Sequence, residues 1–315
     1  MNLKNSLFLL VILASVLSCK ENAKKSTERE VVLNTHLIPY NSPLLDFDDP
    51  TVAIIDFRKK DAYRAGHLQG AINLYRDDIQ DATLPYKGIR ISKEQLAKRL
   101  GNAGITEKHT IIVYDDKGSS DASRLWWLLR LYNFDNVHIL DGGIGHWERM
   151  GGKLSLEETA EKQNAFHFVD KPDQLILVEK DELLKLIKSD ASQAIILDTR
   201  STDEYKGYQQ KDGAKKAGRI PGSVNIDWAE AIDYGNTFTF KPVGELEKIY
   251  SRLGATKEDT IIVYCHSGVR SSHTTFVLTQ LLNYKNVMNY DGSWVEWSYD
   301  DLLPYESDSI SVEKN

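Results

Sequence analysis

Cysteine is almost missing from this sequence: a chain of 315 residues holds two, Cys19 and Cys265. Its eight histidines are scattered, and no cysteine–histidine cluster has metal-ligand spacing, so neither a metal nor a cofactor is expected. Basic residues form no block beyond short lysine pairs, and the formal net charge is -7. Phosphate backbones are bound by clustered Lys and Arg, which excludes nucleic acid as the main partner. No apolar run reaches the about 20 residues that a membrane-spanning helix needs. What is present, 41% hydrophobic and 27% charged residues, is ordinary globular material in a length that suits two domains.

The first residues stand apart from that material. Lys4 precedes an apolar run from Leu7 to Leu17, and Ser18-Cys19 follows. A charged start, a short apolar stretch and a small residue before the cut describe a secretory signal. Val16-Leu17-Ser18-Cys19 resembles the bacterial lipobox, whose cysteine becomes the lipidated first residue. Residues 1–18 are therefore expected to be a lipoprotein signal peptide and Cys19 the lipidation site. Each buried CH₂ of the acyl chains contributes about 0.8 kcal/mol, enough for stable membrane attachment. Lys20, where an aspartate is absent, favours the outer membrane by analogy. The expected location is the bacterial cell envelope, lipid-anchored and facing the periplasm. Residues 19–35 are polar and charged and read as a tether. With Cys19 lipidated, the folded part keeps one thiol and no intramolecular disulfide. A single free cysteine in an oxidising compartment points to chemistry.

One unit is used twice. Ile111-Ile112-Val113-Tyr114 recurs as Ile261-Ile262-Val263-Tyr264, Asp141-Gly142-Gly143 as Asp291-Gly292-Ser293, and Trp147 as Trp297, each at an offset of 150 residues. Upstream, Ala53-Ile54-Ile55-Asp56 matches Ile195-Ile196-Leu197-Asp198, and Gly66-His67-Leu68-Gln69-Gly70-Ala71-Ile72-Asn73 matches Gly218-Arg219-Ile220-Pro221-Gly222-Ser223-Val224-Asn225. Short β-branched runs suit buried parallel strands. Between them, caps and apolar spacing predict helices over Ser92–Leu100, Ser123–Tyr132, Asp181–Lys188, Val243–Leu253 and Ser271–Leu282. Strand–helix alternation gives an α/β fold, two tandem domains each with a mainly parallel sheet flanked by helices. Their expected bounds are 36–151 and 176–305, with a linker over 152–175 and a frayed tail over 306–315.

The chemistry gathers at Val263-Tyr264-Cys265-His266-Ser267-Gly268-Val269-Arg270-Ser271-Ser272. An apolar strand runs into a cysteine, a small-residue loop follows, and a helix begins. Ligands of open parallel sheets bind at the carboxyl ends of strands. A short loop of this kind turns backbone N–H groups inward as an anion nest, and the helix start adds positive potential. Gly268 permits the curvature, and Arg270 adds charge. Such a setting favours a thiolate, the nucleophilic form, and equally a persulfide.

The loop, the repeated Asp-Gly-Gly or Asp-Gly-Ser with a tryptophan downstream, and the His-or-Arg element before Gly-Ala-Ile-Asn resemble the rhodanese superfamily. The likeness covers nearly all of the chain after the tether. Two tandem copies with cysteine only in the second resemble thiosulfate and 3-mercaptopyruvate sulfurtransferases. That resemblance implies two rhodanese-like domains, the first catalytically silent, and Cys265 as the sulfur carrier. The position matching Cys265 is Asp115, in a loop Asp115-Asp116-Lys117-Gly118-Ser119-Ser120 that lacks both thiol and arginine. His266, Ser267, Gly268, Val269 and Arg270 become the active-site and substrate-binding loop, with Lys211, Arg219, His67 and Arg58 as candidate substrate contacts.

The resemblance also bears on the donor. The resemblance to mercaptopyruvate enzymes implies arginines ahead of the Gly218–Gly222 element to hold the substrate carboxylate. Glu204 stands near where one is expected, Lys211 or Arg219 would have to compensate, and a lysine is not a bidentate clamp. Thiosulfate is therefore favoured over 3-mercaptopyruvate. The expected partners are a small anionic sulfur donor and a thiophilic acceptor, cyanide or a thiol, plus the membrane through the lipid anchor. Two alternatives stand beside this reading. One is a non-catalytic persulfide carrier or binding module. The other is a cysteine-dependent phosphatase, disfavoured because Arg270 comes five positions after Cys265 and Ser271 occupies the sixth.

Overall fold

The computed structural model describes residues 36–160, 163–189 and 193–308. The expected signal peptide, Cys19, the tether and residues from 309 onward lie outside the described residues.

In the first domain the short apolar runs become strands β1 (Leu37–Ile38), β2 (Val52–Asp56), β3 (Ile72–Asn73), β4 (Thr110–Tyr114) and β5 (Val137–Leu140). Helices α1 (Lys60–Ala65), α2 (Lys93–Asn102), α3 (Ser120–Leu131) and α4 (Gly143–Arg149) lie between and after them. The second domain repeats the plan with β6 (Leu177–Val178), α5 (Lys180–Lys188), β7 (Ile195–Asp198), α6 (Thr202–Lys206), β8 (Val224–Asn225), α7 (Val243–Tyr250), β9 (Thr260–Tyr264), α8 (Val269–Phe276), β10 (Asn286–Tyr290) and α9 (Ser293–Tyr299). The sheet orders are β1-β5-β4-β2-β3 and β6-β10-β9-β7-β8, and every strand pair is parallel. Both sheets are thus wound alike, with β4 and β9 central and carrying a loop at their carboxyl ends.

Local chemistry explains the boundaries. Ser92 accepts from the Gln95 N–H while the Gln95 side chain accepts from the Ser92 N–H, a reciprocal cap that starts α2. The Ser271–Leu282 stretch begins two residues earlier than its polar run suggests, at Val269, because the loop closes directly into the helix. It continues from Val277 to Leu281 as a π-helix, where Thr279 Oγ1 donates to the Thr275 carbonyl.

The two domains share one core. Ile55, Ile111 and Val113 of the first belong to the same apolar cluster as Leu197, Ile261 and Val263 of the second. Helices α3 and α8 make the join, with Trp126 edge-on to Phe276 at 4.8 Å. The expected linker is packed: Ser155 bridges to His67, the Asn164 N–H donates to the Gly101 carbonyl, and Phe166 is buried against Phe134 and Phe168. The expected tail is also tied down as far as it is described. Glu306 pairs antiparallel with Arg219, and the Asp308 N–H donates to the Lys206 carbonyl. Isolated contacts of this sort leave no periodicity, so composition alone reads them as loose. Among the described residues no helix is long and apolar enough to cross a membrane.

Candidate active site

Strand β9 delivers Cys265 to the sheet's carboxyl edge, and α8 starts four residues later. The loop between them is held from inside by Ser293, whose Oγ accepts from the N–H groups of Cys265 and Gly268, both at 3.1 Å, and donates to the Tyr290 carbonyl. Gly268 has φ +81°, and a Cβ there would lie 2.8 Å from both Arg124 Nη1 and Asp291 Oδ1. Glycine meets both demands, the left-handed backbone and the close approach.

Inside the loop sits the Cys265 sulfur, 1% exposed as a residue. Ser271 Oγ donates to Sγ at 3.5 Å. Burial alone would push the thiol's pKa up. Arg270, the Ser271 hydroxyl and the backbone N–H groups of Ser271 and Ser267 outweigh it, and the net shift is downward.

The first domain shows what this cradle accepts. Asp115, the twin of Cys265, turns its carboxylate into the same loop. It accepts from the N–H groups of Lys117 and Ser119 at 2.9 Å, of Asp121 at 2.8 Å and of Ala122 at 2.9 Å. The corresponding residues in the second domain are Ser267, Val269, Ser271 and Ser272. A nest that takes a carboxylate in one copy suits a thiolate in the other. Burial and the neighbouring Asp121 raise the Asp115 pKa to about 6, against the pull of those N–H groups.

Arg270 reaches over the loop, but not as a free charge. Its Nη1 and Nη2 hold both oxygens of Glu204, at 2.6 and 2.8 Å, and Glu204 is buried. Burial would raise the Glu204 pKa, yet Arg270 and then Arg200 and Lys211 bring it down to about 2. The pair therefore stays ionised through the working pH range. Lys211 lies within electrostatic reach of Arg270, Glu204 and Cys265, and among the described residues its ammonium has no hydrogen-bond or ion-pair partner. Desolvation, then Arg270, lowers its pKa. His266 sets its Nε2 3.0 Å from the Asp212 carbonyl, which assigns the ring proton to Nε2. Burial, with Lys211 and Arg270, lowers its pKa to about 4, so the ring is neutral. Beside the loop opens a cavity of about 490 Å³, walled by His266, Ser267 and Val269 and by Arg76, Lys87 and Gly88 of the first domain.

Three of the expected substrate contacts lie elsewhere. Arg58 is buried in a forked pair with Asp56 (Nη2 to Oδ2, 2.6 Å) and donates to the Gly66 carbonyl. Arg200 repeats that arrangement with Asp198 and the Gly218 carbonyl. His67 is fully buried, its ring nitrogens 2.8 and 3.0 Å from the Tyr63 and Glu157 carbonyls, stacked on Tyr63. Arg219 is spent on Glu306 and Asp308. These three side chains brace the fold instead of facing the cleft. Sequence reasoning missed Ser293 and Ser271. The change of Asp-Gly-Gly to Asp-Gly-Ser between the copies was the available signal for Ser293.

The model of the rhodanese-like domain matches this chain twice, at residues 44–150 and 179–300. Among similar proteins, "Putative thiosulfate sulfurtransferase" of Mycobacterium leprae is 37% identical over 242 residues, 75% of this chain and 84% of that protein. "Sulfur carrier protein TtuD" of Thermus thermophilus is 35% identical over 260 residues, 79% of this chain and 89% of that protein. Among solved structures, the anaerobic ergothioneine biosynthesis enzyme from Chlorobium limicola aligns with a TM-score of 0.76 over 87% of this chain and 71% of that one. Its identity is 23%, a likeness of fold alone.

Proposed function

The chain belongs to the rhodanese-like family, whose domain it carries twice, and on that premise we propose that it transfers sulfane sulfur through a persulfide on Cys265. The observation that carries this reading is the twin of the loop, where the same backbone N–H groups already hold an anion, Asp115.

The reaction is a double displacement. The Cys265 thiolate attacks the outer sulfur of thiosulfate. A new S–S bond forms, the donor's S–S bond breaks, and sulfite leaves with the electron pair. The persulfide's terminal sulfur keeps one negative charge, and the N–H groups of the loop hold it. Cyanide then attacks that sulfur, the S–S bond breaks, thiocyanate departs and the thiolate returns. A thiol acceptor does the same.

The donor follows from how the cations are used. A carboxylate such as that of 3-mercaptopyruvate is best held by a free guanidinium fork. Both arms of Arg270 are on Glu204, Arg76 at the cavity wall is paired with Asp121, and Lys211 and Lys87 remain, each a point charge. That favours thiosulfate. Replacing Glu204 with glutamine is expected to free the Arg270 charge. The thiol should then titrate at lower pH and the KM for thiosulfate should fall, while Glu204→Asp stays near the parent. Steady-state kinetics across pH check this, and a higher KM in Glu204→Gln would contradict it.

A second reading is favoured by the near-complete burial of Cys265: a carrier that loads sulfur and hands it only to a docking partner. Repeated turnover with thiosulfate and cyanide separates an enzyme from such a carrier. The location is proposed on the sequence of Val16–Cys19 alone, as a lipid anchor in the bacterial envelope. A Cys19→Ala variant is expected to move from the membrane to the soluble fraction, and unchanged fractionation would count against the anchor.

A further inference from the structure

The first domain has no thiol, yet it reaches into the loop that does. Arg124, on α3, is 2% exposed. Its Nη1 pairs with Asp291 Oδ1 and lies 3.5 Å from the Gly268 carbonyl, and its Nη2 donates to the Gly88 carbonyl at 2.9 Å. Asp291 also accepts from Arg90, through the backbone N–H at 3.0 Å and Nη1 at 3.3 Å. This carboxylate is buried and abuts the loop, since Gly268 has no room for a Cβ between Arg124 and Asp291. Left alone, it would oppose an anion held in the loop that it abuts.

The duplication supplies an internal control. Asp141 is the twin of Asp291, and its Oδ1 accepts from the Phe240 N–H just as Asp291 Oδ2 accepts from the Arg90 N–H. Position 240 is the twin of 90, so the two domains roof each other's loops symmetrically. The arginines break that symmetry. Thr274 stands at the twin of Arg124 and Phe240 at the twin of Arg90. Among the described residues no arginine or lysine pairs with Asp141. Burial raises its pKa to about 6, while the two arginines hold that of Asp291 below its ordinary value. The aspartate is neutralised only where a sulfur anion must be kept.

We propose that Arg124 is a positioning residue for sulfur transfer, by which the thiol-free domain cancels the Asp291 carboxylate beside the Cys265 loop and keeps the sulfur ionised. The proposal rests on the persulfide role of Cys265 for its purpose, but its electrostatics are read on the resting thiol. The charged groups facing that thiol are Arg270, itself paired with Glu204, and Lys211 on the second domain. Asp291, in the same domain, abuts the loop at Gly268, and Arg124 and Arg90 reach it from the first domain.

The test is the rate of alkylation of Cys265 by iodoacetamide against pH, in the full chain. Arg124→Gln is expected to move the thiol's titration upward by about one pH unit, slowing alkylation near neutral pH by about tenfold. Asp291→Asn is expected to move it downward. The double variant should return close to the parent, although both singles melt earlier. A purely structural role lowers the melting temperatures and leaves the three profiles superimposed, which overturns the proposal. If Arg124→Gln does not fold, the downward shift in Asp291→Asn still decides, and its absence overturns the proposal. Failure of the persulfide reading is seen separately, as absence of sulfur loading in the parent protein.

Discussion

Replacing Cys265 with serine is expected to abolish sulfur transfer while leaving the fold intact. A serine hydroxyl can occupy the same nest and accept from the same N–H groups, so the melting temperature should stay near the parent's. Chemically the change is complete. The hydroxyl is not ionised near neutral pH, and it cannot hold a sulfane sulfur for transfer. Loss of a sole nucleophile costs catalysis on the order of four decades or more. The thiosulfate–cyanide assay should therefore fall to background. Residual turnover within tenfold or so of the parent would mean that sulfur passes through some other group. Cys19 is the only other cysteine in the sequence, so a soluble fragment beginning after it makes the experiment unambiguous.

A second large effect is expected at Arg58, and it is an effect on stability. The Asp56–Arg58 pair is buried, and Tyr114 Oη also donates to Asp56 Oδ2 at 2.6 Å. Arg58→Ala would leave that carboxylate in the interior without its cation, and removing one partner of a buried pair costs about 3–5 kcal/mol. Urea unfolding should show a loss of that size. The KM for thiosulfate, measured on the protein that remains folded, should not change. A substrate contact would give the reverse pattern, a raised KM with stability kept. The twin pair Asp198–Arg200 carries the same architecture, its guanidinium lying over the rings of Tyr264 and Trp294.

That pair also shows where the sequence could have been read further. Asp56-Phe57-Arg58 recurs as Asp198-Thr199-Arg200, so the motif belongs to both copies and cannot mark the one that has the thiol. Its repetition by itself argues for a structural arginine. The strands were legible because a parallel sheet buried on both faces writes contiguous runs such as Ile111–Val113 and Ile261–Val263. Matching Cys265 to Asp115 was legible for the same reason, since the runs before them are identical. The ion pairs were not legible. Arg270 finds Glu204 from 66 residues away, and Arg124 finds Asp291 from 167. Such partners are chosen by topology, which no local spacing encodes. The partners of Arg219 are hidden on the same account, because they sit in a polar tail whose composition suggests fraying.

The role of the first domain changes accordingly. The Asp115 carboxylate of its loop is turned inward and satisfied by backbone N–H groups. The domain's contribution is made across the interface, as a roof at Gly88 and as the two arginines on Asp291. Losing the thiol there does not make the domain dispensable, since it shares the core of the copy that carries Cys265.

The measurement that bears most directly on the persulfide is the intact mass of the soluble protein after incubation with thiosulfate and removal of the excess. One added sulfur is predicted, located on Cys265, absent from Cys265→Ser and discharged as thiocyanate by cyanide. An unchanged mass after thiosulfate, or an added sulfur that persists in Cys265→Ser, would contradict it.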